Sequence, residues 1–114
     1  LYPYWAMDGG FRDDAETTLT VCLENIRYAS RKFDCDVMIV DTCFLVDESR
    51  PEVLEEGRRQ LARVIRESMN ETGGRCKGVF YWEPECKPSQ YKLGAFTEDG
   101  RPTVIMDAFK DWTE

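Results

Sequence analysis

The feature that most constrains the fold of this chain is a short apolar run, Val37 to Val40, between two segments with helical periodicity. Unbroken apolar runs of this length are typical of strands that are covered on both faces in a parallel sheet. We therefore interpret the run as a strand buried on both faces. Helices before and after such a strand predict an α/β fold.

The segment before this run, residues 17–33, has apolar residues at helical spacing. Asp13 and Asp14 precede it and favour a helix start, because negative charge stabilises the amino end of a helix. The spacing predicts a buried stripe that comprises Leu19, Cys22, Leu23, Ile26 and Ala29.

The segment after the run predicts a second and longer helix. Ser49 is the predicted N-cap, and Pro51 lies near the first helical position. Gly57 is interpreted as a local weak point, and the glycines of ETGGRC are predicted to end the helix. Its sheet-facing stripe comprises Val53, Leu61, Val64, Ile65 and Met69.

Two more strand signals complete the pattern. Residues 76–82, CKGVFYW, predict a strand, and the opening LYPYW is interpreted as the end of an earlier one. A short amphipathic helix is predicted from Pro102 or Thr103. Three βα units in sequence imply parallel strands joined by crossovers, within a single domain over residues 1–114. The pattern alone leaves open a small doubly wound sheet or a portion of a larger barrel.

The charge balance narrows the classes of partner. The net charge is −7 and the pI about 4.7, with basic residues dispersed along the chain, which argues against nucleic acid or an anionic membrane. A neutral sugar is compatible with this surface. No stretch approaches the ~18 continuous apolar residues of a membrane span. No signal peptide is visible, and the start without methionine favours a fragment or a processed product.

The cysteines predict neither a metal centre nor a nucleophile. There are five cysteines, no CxxC pair and no histidine, so the spacing required for zinc and the usual partner of a catalytic thiol are both missing. We expect free thiols and no cofactor. Hard oxygen ligands for Ca²⁺ could come from strand-exit loops, although no EF-hand spacing is present: Asp47, Glu48, Glu83 and Glu85.

Aromatic and acidic side chains follow each predicted strand: Tyr2, Tyr4 and Trp5; Asp41 and Thr42; Tyr81, Trp82, Glu83 and Glu85. In parallel α/β folds, ligands gather where the strands end. Aromatic faces stack on sugar rings, and carboxylates accept hydrogen bonds from hydroxyls or attack an anomeric carbon. The combination predicts a carbohydrate cleft. Taken singly, Asp41 could cap a turn, Tyr81 and Trp82 could be core residues, and Glu83 could face solvent.

These residues also carry a resemblance to a known family. The segments LYPYWAMDG, DVMIVDT and GVFYWEPE, followed by YKLGAFTEDGRPTVIMDAF, resemble the C-terminal part of glycoside hydrolase family 53, the arabinogalactan endo-β-1,4-galactanases, and in particular its Bacteroidetes members. The similarity extends over nearly the whole chain. It implies that the chain forms roughly strands six to eight of a (β/α)8 TIM barrel.

The resemblance implies a retaining hydrolase of β-1,4-galactan or arabinogalactan. Asp41 would take the nucleophile position, Tyr2 would hydrogen-bond that carboxylate, and Trp5 would lie at the end of strand six. Trp82 would line the sugar site from strand eight, with Tyr81 and Glu83 beside it. Some bacterial members hold calcium near strand eight. A plant polysaccharide as substrate implies a secreted, periplasmic or cell-surface protein.

Two departures from the family pattern bear on activity. The family has Glu where this chain has Asp41, whose oxygens lie farther back by about 1.5 Å, one C–C bond. The family's acid/base glutamate on strand four has no counterpart in this sequence, so we expect the isolated chain to be inactive. A non-catalytic carbohydrate-binding remnant is the first alternative. The second is a self-associating α/β module without sugar function. Because isolated barrel strands leave open sheet edges, we expect either self-association or complementation by the missing barrel half.

Overall fold

The computed structural model describes residues 15–113 and shows a small α/β domain. The elements are, in chain order, α1 (Ala15–Lys32), β1 (Val37–Ile39), α2 (Pro51–Glu71), β2 (Cys76–Val79), a 3₁₀ turn (Val104–Asp107) and α3 (Ala108–Asp111). The predicted strand ending in LYPYW lies outside the described residues. No helix within residues 15–113 is long and apolar enough to cross a membrane.

The first helix is confirmed, and its burial follows the predicted spacing. Leu19, Cys22 and Ile26 of α1 are almost fully buried and form a cluster with Ile39 of β1 and Val64 of α2. Both long helices therefore pack on the same face of the sheet. Each fully buried aliphatic side chain of this kind stabilises the fold by about 1.5–3 kcal/mol.

The two strands form the predicted parallel pair. Val37 is paired with Cys76 and Ile39 with Val79, with an irregularity between the two pairs. The second strand is shorter than predicted, since regular pairing ends at Val79 instead of Trp82. The two segments nevertheless continue side by side beyond β2, because the N–H of Phe80 donates to the carbonyl of Ile39 at 2.8 Å.

The prediction that β1 is buried on both faces is wrong for the described part of the chain. Ile39 is fully buried, but Met38 and Val40 are 43% and 58% exposed, and Phe80 beside β2 is 53% exposed. The reason is that α1 and α2 cover one face of the pair, and no described element covers the other. We call Met38, Val40 and Phe80 the open face of the sheet.

The start of α2 differs from the prediction. Arg50, not Ser49, is the N-cap residue, and it makes no side-chain capping bond; Pro51 is in the first turn as predicted. Asp47 explains the difference, because its carboxylate accepts both the backbone N–H and the hydroxyl of Ser49, at 3.0 and 2.6 Å. The Ser49 hydroxyl and the Arg50 guanidinium lower the pKa of Asp47 to about 2.

The sheet-facing stripe of α2 is confirmed at its centre and corrected at Gly57. Leu61, Val64 and Ile65 are buried, as predicted. Gly57 is also buried, and a Cβ there would lie 3.1 Å from Cγ1 of Ile105. It is therefore a close-packing position where the helix approaches the 3₁₀ turn, rather than a local weak point.

The glycines after α2 end the helix as predicted. Gly73 and Gly74 have φ values of +61° and +84°, which residues with a Cβ adopt at a cost. Their N–H groups donate to the carbonyls of Asn70 and Met69, at 3.1 and 2.8 Å. These bonds satisfy carbonyls that the helix end would otherwise leave free.

Candidate functional site

The two described strands place their chemistry-bearing residues at one edge. Asp41 lies two residues beyond β1, and Trp82 lies three residues beyond β2. Because the strands are parallel, both follow carboxyl ends, and the N–H of Trp82 donates to the carbonyl of Thr42 at 2.9 Å. Asp41 and Trp82 therefore share what we call the strand-end edge, as the sequence predicted. Tyr2 and Trp5, predicted for the same edge, lie outside the described residues.

Asp41 is half-buried, and its Oδ1 atom has almost no solvent contact. The next two residues, Thr42 and Cys43, are fully buried. Burial raises the pKa of the Cys43 thiol to about 12; the Tyr91 hydroxyl opposes this shift and the Asp41 carboxylate adds to it. The thiol therefore stays protonated at neutral pH and is a poor nucleophile.

Tyr81 is held by hydrogen bonds within the protein. Its hydroxyl oxygen accepts the backbone N–H of Phe44 at 2.8 Å, and the hydroxyl lies within donating distance of the carbonyls of Leu93 and Gly94. Burial raises the pKa of Tyr81 well above its usual range. Tyr81 was predicted as a substrate-binding residue; its hydroxyl is engaged with the backbone, and the side chain connects the end of β2 to two other segments.

Trp82 and Glu83 project from the same edge toward solvent. The indole of Trp82 is 48% exposed, which leaves a large aromatic surface available to a ligand. Glu83 is exposed and has a φ of +42°, a conformation that costs about 1–2 kcal/mol for a residue with a Cβ. Its Oε2 accepts the thiol of Cys86 at 3.3 Å. Such strained residues persist where the surroundings fix them.

The backbone around Glu83 shows what fixes it. The N–H of Ala95 donates to the carbonyl of Pro84 at 2.7 Å, and the carbonyl of Ala95 accepts both the N–H and the hydroxyl of Thr103. The N–H of Val46 donates to the carbonyl of Lys92 at 2.8 Å. The long polar stretch after β2 is therefore an ordered loop, tied to the segment after β1 and to the chain before α3.

Tyr91 is a member of the strand-end edge that the sequence did not indicate. It is half-buried; its burial is the main cause that raises its pKa, and the Cys43 thiol and the carboxylates of Asp41 and Glu83 add to the shift. The Tyr91 hydroxyl therefore interacts electrostatically with groups from the segment after β1 and from the segment after β2. An isolated tyrosine in a polar loop gives no periodic signal, so only the tertiary structure reveals this proximity.

Two of the carboxylates considered for calcium are engaged within the protein. Within residues 15–113, no group of three or more acidic, cysteine or histidine side chains is arranged to hold a metal ion. Asp47 is engaged with Ser49 and Arg50, and Glu48 accepts the backbone N–H of Glu98 at 2.9 Å.

Comparison with known families and with curated proteins gives no match for this chain. The functional assignment therefore depends on the residues of the strand-end edge and on the motifs that they belong to.

Proposed function

We propose that this chain forms C-terminal βα units of a (β/α)8 glycoside hydrolase of the galactanase type, with Asp41 at the nucleophile position. The observation that carries the proposal is the placement of Asp41 and Trp82 at one edge of a parallel strand pair. Parallel barrels bind their substrates at this edge. The sequence motifs that surround both residues are those that resemble the galactanase family.

The chemistry assigned to these residues is that of a sugar site. Trp82 offers an exposed indole on which the C–H face of a galactose ring can stack. Glu83, next to it, is an acceptor for sugar hydroxyls. In a retaining hydrolase, the carboxylate of Asp41 would attack the anomeric carbon while a second carboxyl group protonates the leaving oxygen. That second group has no counterpart in this sequence, so the proposed role of the chain alone is binding without turnover.

The open face of the sheet supports a barrel origin. In a barrel, the face opposite the helices points inward and is covered by the other strands. Met38, Val40 and Phe80 lie on such a face and are exposed among the described residues.

The proposed protein would act on an extracellular polysaccharide, which places it at the cell surface, in the periplasm or outside. The same open face favours a second candidate function, an α/β module that self-associates through it.

The proposal is tested by titrating the chain with a β-1,4-galacto-oligosaccharide in a calorimeter. We expect binding, and we expect Trp82→Ala to weaken it about two- to tenfold, since a lost aromatic stacking contact is worth about 0.5–1.5 kcal/mol. Phe33→Ala is the matched control. Phe33 is an exposed aromatic residue that precedes β1 and so lies at the opposite end of the strands.

The outcomes separate the candidates. Equal affinity of wild type and Trp82→Ala, or no binding at all, contradicts the sugar site, and a dimer without sugar affinity favours the self-associating module.

Release of reducing sugar from galactan is measured in parallel for wild type and Asp41→Glu. We expect none from either, and turnover by either would show that the chain needs no second carboxylate from outside this sequence.

A further inference from the structure

Tyr81 connects three segments that meet at the strand-end edge. It lies two residues beyond the end of β2 and directly precedes Trp82. Its hydroxyl oxygen accepts the N–H of Phe44, which lies three residues after Asp41. The same hydroxyl lies within hydrogen-bond distance of the carbonyls of Leu93 and Gly94 in the long loop. The Tyr81 and Phe44 rings are 6.2 Å apart between centroids, so the contact with this segment includes packing.

A phenol suits this position because it accepts and donates with one atom. The Tyr81 hydroxyl accepts the N–H of Phe44 and donates to the carbonyl of Gly94. Phenylalanine would preserve the ring and its packing while leaving both backbone groups without this partner. Loss of the hydroxyl should therefore loosen the loop relative to Asp41 without emptying the core.

We propose that Tyr81 is a positioning residue that sets the distance between Asp41 and the Trp82–Glu83 pair, and that it does not itself contact the ligand. This inference rests on the proposed function, because the distance matters only if a ligand spans the strand-end edge. Its neighbour Trp82 is bonded to the same segment through the backbone, since the N–H of Trp82 donates to the carbonyl of Thr42. Side chain and backbone thus tie the end of β2 to the residues around Asp41.

The test compares Tyr81→Phe with Ile26→Val, which removes a methyl group from the buried cluster on the helix side of the sheet. Both variants are titrated with β-1,4-galacto-oligosaccharide at a temperature where each is fully folded by circular dichroism. We expect affinity to fall about tenfold in Tyr81→Phe, the equivalent of one buried hydrogen bond, and to stay unchanged in Ile26→Val. An equal loss of affinity in both variants would show that Tyr81 only stabilises the fold in general.

A second measurement needs no sugar and separates this inference from the proposed function. Backbone amide exchange is followed at Val46 and Ala95, whose bonds tie down the loop, and at Phe80, which bonds to β1. In Tyr81→Phe we expect exchange at Val46 and Ala95 to accelerate about tenfold relative to Phe80. Uniform acceleration, or none, would overturn the positioning role whether or not wild type binds sugar. Faster exchange at Val46 and Ala95 alone, in a chain that does not bind sugar, would contradict the proposed function and still show that Tyr81 orders the loop.

Discussion

Replacing Gly94 with alanine is expected to lower the free energy of unfolding by about 2–3 kcal/mol, the upper part of the usual range of about 1–3 kcal/mol for forcing extra volume into a tightly packed site. A Cβ at this position would lie 2.9 Å from the carbonyl oxygen of Cys86 and 3.1 Å from that of Pro84. Both are backbone atoms, so relief requires a shift of the chain. That shift would strain the bonds between Ala95 and Pro84 and between Tyr81 and Gly94.

Gly78→Ala is the matched control, because its Cβ would meet the end of a flexible side chain, Cε of Met38 at 3.1 Å. We expect it to change stability by less than about 1 kcal/mol, as Met38 can turn toward solvent. Urea unfolding followed by circular dichroism measures both variants. If Gly94→Ala proves as stable as Gly78→Ala, the loop is not packed against the strand exit as described.

The secondary structure was predictable because it depends on periodicity that is local in sequence. Leu19, Cys22 and Ile26 repeat at the helical period, and α1 buries those positions. The parallel order of β1 and β2 followed from the helix between them. The burial of both faces of β1 was not predictable in the same way. An apolar run shows that a strand can be covered, but not which residues cover it.

Errors arose where one specific contact overrides a general residue preference. Ser49 has the side chain of a good N-cap, but the Asp47 carboxylate takes up its hydroxyl and its N–H. Gly57 has a low helix propensity, yet the approach of Ile105, far along the chain, makes the absence of a side chain useful. Neither Asp47 nor Ile105 lies within α2, so the periodicity of the helix does not indicate either contact.

Part of the candidate site was predictable because it depends on the order of the strands. The placement of Asp41 and Trp82 at one edge follows from parallel strands, whose order the sequence predicts. The contribution of Tyr91, and the internal engagement of the Tyr81 hydroxyl, depend on how the loop after β2 folds back. Loop paths are set by individual hydrogen bonds instead of a repeating pattern, so these roles require coordinates.

The stability of the fold is expected to fall steeply above pH 9. Burial raises the pKa of Cys22 from 9.0 to about 11 and that of Cys43 to about 12, and it raises the pKa values of Tyr81 and Tyr91 above their usual range. The unfolded chain therefore releases these protons at lower pH than the folded chain does. Their stabilising effect is complete below pH 9 and is lost as pH rises toward the folded-state values.

The expected loss is about 2 kcal/mol for each buried thiol between pH 9 and 11, with the tyrosines adding to it above pH 10. Against a typical total of about 5–15 kcal/mol, this should lower the melting temperature by at least about 10 °C. Thermal melts in reducing buffer from pH 7 to 11 measure the fall, and Cys22→Ala should make it shallower because one buried acid is gone. A melting temperature independent of pH would mean that Cys22 and Cys43 reach solvent. The packing of α1 on the sheet, and the enclosure of the segment after Asp41, would then both be wrong.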